Sequence, residues 1–169
     1  MRKVLFETHH LYYLPNFLPL VGEFKNRGNY DLYFSMPQYI NQSERDLFSL
    51  ACKDLGLNTI DADDEESRTK KILNENFSII LVAHVGQRTR IASDSTLTVM
   101  VYHGIGLKQS YYNDIDDRID IRSVVSESRY QKLLNQSNSA DLALTGFTKI
   151  DPLYTINEIA NNRLKDRIG

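Results

Sequence analysis

Four histidines carry most of the chemistry this sequence could perform, and each sits where an apolar run ends. His9 and His10 follow Lys3 to Glu7, His84 follows Phe77 to Ala83, and His103 follows Leu97 to Tyr102. An imidazole titrates near neutrality, so a histidine placed beside a hydroxyl can take its proton. His103 has the richest surroundings, Val101-Tyr102-His103-Gly104-Ile105-Gly106-Leu107-Lys108. Gly104 and Gly106 would let the backbone come close to a ligand and turn N–H groups toward an anion. Lys108 would set a positive charge against a phosphate. The loop is not the dinucleotide fingerprint, because the third glycine of that pattern would fall at Gln109. A tight strand-to-loop turn around a buried histidine fits the same residues.

His10 and His84 are the other candidate ligand-binding histidines. If His9 and His10 extend a strand they lie on opposite sides of it, so only one of them can face a given pocket. Tyr12, Tyr13, Tyr111 and Tyr112 could stack on a ligand, although tyrosines at a sheet rim also serve as packing. Arg88 and Arg90, in the stretch Gly86 to Ser95 just past His84, suit phosphate recognition. Asp114 and Asp116 form an Asp-x-Asp within an acidic segment that reads as a solvated loop. No His/Cys spacing of the zinc type is present, and the reading calls for no metal and no cofactor.

Those histidines need strands to hold them. Short apolar runs alternate with amphipathic stretches, the pattern of βαβ units. Lys3 to Glu7 predicts a strand. The helix that follows is expected to be capped by Asn16, with Pro19 in its first turn, Phe17, Leu20, Val21 and Phe24 inward, and Gly28 at its end. Asp31 to Ser35 predicts the second strand. A second helix is expected to open on a Ser43–Asp46 capping box, bury Leu47, Leu50 and Ala51, and stop at Gly56. Asn58 to Ile60 predicts a short strand. Asp63 to Asn76 predicts a charged and mostly exposed helix. Phe77 to Ala83 and Leu97 to Tyr102 are near-continuous apolar runs, which mark strands covered on both faces. Ser123 to Val125 and Leu142 to Leu144 complete the strands. Between them a helix capped by Ser126 turns Tyr130, Leu133 and Leu134 inward, and a last helix opens on Thr155 and Glu158. Six or seven strands with helices between them predict an α/β fold with an open, doubly wound parallel sheet. In such sheets ligands bind outside the carboxyl ends of the strands, the edge to which all four histidines belong.

The chain has 169 residues, 41% hydrophobic and 25% charged, which fits one soluble domain over residues 1–169. A net charge of -2 argues against a nucleic-acid partner bound through bulk charge. The single Cys52 excludes an intrachain disulfide. No run approaches the roughly 18 apolar residues of a membrane span, and the N-terminus lacks a secretory apolar region. The expected location is cytoplasmic.

The segment His103 to Lys108 resembles the strand, His-Gly and lysine-bearing loop of the CDP-glycerol glycerophosphotransferase family. Gly146-Phe147-Thr148-Lys149-Ile150-Asp151-Pro152-Leu153 is similar to the Gly-Tyr-Pro-x-x-Asp-x-Leu segment that closes that family's first domain, with Phe147 and Thr148 in place of Tyr-Pro. Leu14 to Leu20 and Val124 to Tyr130 resemble the family's first helix and the strand and helix before that closing segment. The resemblance implies a Rossmann-like, acceptor-side N-terminal domain of a GT-B architecture. It implies His103 as the base and His10, His84, Gly104, Gly106, Lys108 and Gly146 as ligand-binding positions. The implied reaction moves glycerol phosphate from CDP-glycerol to a polyol-phosphate or sugar acceptor in teichoic-acid-type cell-surface polymer synthesis, at the inner face of the membrane. The nucleotide-binding half has no counterpart in these residues, so the expectation is a domain inactive without one. Two other readings stay open: the half-domain of a GT-B sugar transferase or nucleotide-sugar 2-epimerase, and a non-catalytic domain binding a phosphorylated ligand or a partner. The oligomeric state is left open.

Overall fold

The computed structural model describes residues 1–84, 88–104, 118–135 and 141–153, without the side chains of residues 88 and 89. Seven strands are described: β1 (Arg2–Glu7), β2 (Tyr30–Ser35), β3 (Asn58–Ile60), β4 (Ile79–Val82), β5 (Leu97–Val101), β6 (Ile121–Val124) and β7 (Asp141–Leu144). They form one sheet in the order β3-β2-β1-β4-β5-β6-β7, and every pairing is parallel. The expected doubly wound α/β, Rossmann-like sheet is therefore present. Its strand order reverses between β1 and β4. The chain steps outward through β2 and β3 on one side of β1, then through β4 to β7 on the other.

Five helices are described: α1 (Leu14–Arg27), α2 (Gln42–Asp54), α3 (Glu65–Asn74), α4 (Arg88–Ile91) and α5 (Glu127–Leu134). Side chains alternate along a strand, and β1 divides the core accordingly. Val4 and Phe6 pack in one cluster with Phe17 and Val21 of α1 and Phe48 and Cys52 of α2. Leu5 packs in the other with Ile72 of α3 and Ile91 of α4. Phe6 stacks on Phe34, with ring centroids 4.7 Å apart, and takes Phe17 edge-on at 5.4 Å. Covering both faces is what a parallel sheet requires.

Several local expectations need correction. Helix α1 begins at Leu14, after a 3-10 turn over Leu11–Tyr13. Asn16 is thus inside the first turn, where its amide donates back to Tyr13 O, and Pro19 is interior to the helix. Asn41, not Ser43, caps α2; its side chain accepts the Glu44 N–H at 2.9 Å. That helix buries Phe48 and Cys52, while Leu47 and Leu50 are more than half exposed. Helix α3 carries its acids in the first turn, with Asp64 as cap, but turns Arg68 inward with Ile72. Helix α5, capped by Ser126, buries Arg129 and Leu133 and leaves Leu134 exposed. Part of the expected loop after His84 is helical, as α4. The last expected helix lies outside the described residues. Among the described residues no helix is long and apolar enough to cross a membrane.

Candidate functional site at the carboxyl edge of the sheet

The carboxyl ends of β1, β4 and β5 lie side by side at the centre of the sheet and deliver all four histidines to one edge. Thr8 continues the ladder past β1, donating its N–H to Ser35 O at 2.8 Å. Beyond it the two neighbouring histidines part. His9 is buried and faces His84 across the β1–β4 reversal, with ring centroids 5.2 Å apart. His10 joins an aromatic group with Tyr12 and Tyr13, at 5.3 and 5.8 Å. His103 belongs to that second group, 4.5 Å from Tyr13 and 6.0 Å from Tyr12. The sequence grouped His10 with His84 as ligand-binding candidates; the structure sets His9, not His10, beside His84.

His103 is half-buried, and its Nδ1 lies 2.6 Å from Ala83 O. A carbonyl oxygen only accepts, so the proton of the neutral ring sits on Nδ1 and the basic lone pair on Nε2. This tautomer follows from the partner, and it is the one a proton acceptor needs. Gly104 follows directly and is also half-buried. Gly106 and Lys108, together with Tyr111, Tyr112 and the Asp114–Asp116 pair, lie outside the described residues. Arg90 is exposed on α4.

Gly146 follows β7 with φ 77°, a left-handed angle that favours glycine. A side chain there would meet nothing within 4 Å, so the backbone angle, not close packing, calls for glycine. Its N–H and that of Thr145 both reach Val124 O. Two residues on, Thr148 Oγ1 donates to Asn16 O at 2.8 Å. That bond ties the end of β7 to the first turn of α1, and so to Tyr13 through the Asn16 amide.

The sequence missed a charged cluster on the opposite face of the same edge. Glu7 ends β1 on the side of α3, with Ser35 beside it at the end of β2. Arg68 reaches in from α3 and bonds both Glu7 oxygens, at 2.9 and 3.0 Å, and Ser35 Oγ at 2.5 Å. Its remaining N–H groups form a two-pronged pair with Glu65, at 2.9 and 2.5 Å. Glu65 also accepts Gln38 N–H at 2.7 Å. Glu7 and Arg68 are 2% and 1% exposed, so each depends on the other for solvation. Burial pushes the Glu7 carboxyl up to about 7, against the pull of Arg68. For Glu65 burial acts upward as well, but the Arg68 and Gln38 bonds prevail and hold it below the usual range. Glu7, Arg68 and Glu65 line a small crevice with His9, Tyr39 and Ile91. Among the described residues no three metal-ligating side chains converge.

A third cluster backs the edge beneath β5 and β6. Tyr102 packs against two buried arginines, with the Arg129 guanidinium 3.7 Å and that of Arg122 5.5 Å from its ring centroid. Arg122 also donates to the Tyr102 hydroxyl. Tyr102 and Arg122 are each 1% exposed, which fixes the residue next to His103. No family model matches the chain, and no curated protein is significantly similar to it.

Proposed function

We propose that this chain is the acceptor-binding domain of a transferase similar to the CDP-glycerol glycerophosphotransferases, with His103 as its base. The observation that supports this reading is the 2.6 Å contact of His103 Nδ1 with Ala83 O. It holds the ring by its non-reacting nitrogen, and the neighbouring strand supplies the carbonyl. The location agrees as well, since the crevice outside the carboxyl ends at a strand-order reversal is where such sheets bind ligands.

In the proposed reaction the acceptor hydroxyl gives its proton to Nε2 of His103 as its oxygen bonds the glycerol-bearing phosphorus of CDP-glycerol. The phosphorus–oxygen bond to CMP breaks, and CMP leaves with the electron pair. The imidazolium then releases its proton to water. Lys108 and the N–H groups of the Gly104–Gly106 loop would offset the charge gathering on the phosphoryl oxygens.

The test combines the chain with a donor-binding half from a glycerophosphotransferase, CDP-glycerol and phosphorylated polyol or sugar acceptors, and follows CMP. CMP is expected only when both halves are present. His103→Ala should lower kcat by about 100-fold or more. Turnover by the chain alone, or a His103→Ala variant within about threefold of the parent, overturns the reading.

A further inference from the structure

Tyr12 and Tyr13 are neighbours with opposite fates. Tyr13 is 2% exposed and buried against His103. Tyr12 is 53% exposed, yet it is held on several sides. It stacks on His10 with an interplanar angle of 9°, meets Tyr13 edge-to-face at 4.3 Å, and donates its hydroxyl to that of Tyr13 at 3.0 Å. His10 is anchored in turn, with Nδ1 3.3 Å from Glu44 Oε1. Glu44 also takes the Leu11 N–H at 2.7 Å, and that bond, ahead of its contact with His10, holds the carboxyl below the usual range. An exposed aromatic ring of this kind has little rotamer freedom left to lose when a ligand covers it.

We propose that Tyr12 is the stacking platform for a sugar ring of the acceptor, and that the acceptor is a saccharide, not a bare polyol phosphate. The proposal rests on the reading of His103 as the base. A pyranose offers a flat face of C–H bonds polarised by its ring oxygens, which suits the negative face of an aromatic ring. Its hydroxyls project from the rim of that face. A sugar resting about 3.5–4 Å above Tyr12 extends a rim hydroxyl across the 6.0 Å that separates the Tyr12 and His103 rings. Glycerol phosphate has three carbons and no such face, so Tyr12 gives it no advantage. A nucleobase is flat but carries no alcohol for His103 to deprotonate.

Saturation-transfer NMR on the chain tests this, with methyl pyranosides and glycerol 3-phosphate as probes. At least one pyranoside should receive saturation on one ring face and shift the Tyr12 ring signals. Tyr12→Ala should weaken its binding by about tenfold, while Tyr12→Phe, which keeps the ring, should stay within about threefold. Unchanged amide spectra would show that both variants fold. The platform is overturned if no pyranoside binds, if glycerol 3-phosphate shifts Tyr12 as strongly as any of them, or if Tyr12→Ala binds as the parent does. The two proposals fail separately. A pyranoside that needs Tyr12, combined with transfer indifferent to His103→Ala, keeps the platform and removes the base. Transfer that needs His103, without pyranoside binding, does the reverse.

Discussion

Glu7 is a carboxylate at the end of a buried strand, and its environment works against its charge. Burial raises its carboxyl to about 7 even with Arg68 bonded to it. Unfolded, it titrates near 4.3. Between those values the folded protein holds a proton that the unfolded chain has released, so this group's contribution to stability declines as pH rises from about 4.3 to about 7. Glu7→Gln keeps an oxygen for Arg68 and removes the titration. Urea unfolding at pH 5 and pH 8 should therefore show the parent losing more stability on going to pH 8 than the variant; equal changes would contradict the assignment. The four histidines were legible in the sequence because each one terminates an apolar run, and a strand's end is visible as the end of such a run. Arg68 was not. Its charge reads as solvated until β1 brings Glu7 beneath it, and nothing near Arg68 in the chain signals a partner 61 residues away.

Helix α2 shows how an element can be found and still be turned the wrong way. Leu47, Leu50 and Ala51 make one apolar stripe and Phe48 and Cys52 another, about 100° apart by the helical repeat. Periodicity alone cannot choose between them. The choice follows from packing, because Phe48 and Cys52 fit the cluster built on Phe6 and Phe34. Phe48→Ala should cost about 3–5 kcal/mol, whereas Leu47→Lys and Leu50→Lys should each stay within about 0.5 kcal/mol of the parent. Urea denaturation midpoints decide it. Asn41 escaped notice for a related reason: Ser43 and Asp46 also have the three-residue spacing of a capping box. The cap that forms belongs to the residue from which Glu44 can also reach Leu11 and His10. Pro19 was expected in a first turn because Asn16 looked like a cap. The 3-10 turn over Leu11–Tyr13 moves the helix start back to Leu14.

At the scale of the molecule the sequence was most informative. Apolar runs covered on both faces, with amphipathic segments between them, admit few arrangements other than a parallel sheet wrapped by helices. The order of the strands needs more than pattern, since it depends on which edge each new strand joins. The reversal between β1 and β4 makes the central crevice and with it the meeting of His9 and His84, while the bond between His103 and Ala83 follows from the next pairing, β4 with β5.

That reversal also bears on the sequence of events during folding. β1 and β2 pair through near neighbours in the chain, Arg2 opposite Tyr30, while β1 meets β4 only when Val4 finds Ile79. Contacts between distant residues carry a larger loop-closure cost and tend to form late. The β1–α1–β2 unit should therefore assemble before the candidate site at the carboxyl edge exists. β4 and β5 are joined at least as locally, Ile79 opposite Leu97, so pulse-labelled hydrogen exchange should show β2 amides protected ahead of those that join β4 to β1, and simultaneous protection would contradict it. A chain still emerging from the ribosome would carry a folded β1–α1–β2 layer with His9 and His10 exposed, and it would form the bond between His103 and Ala83 only after β5 had docked.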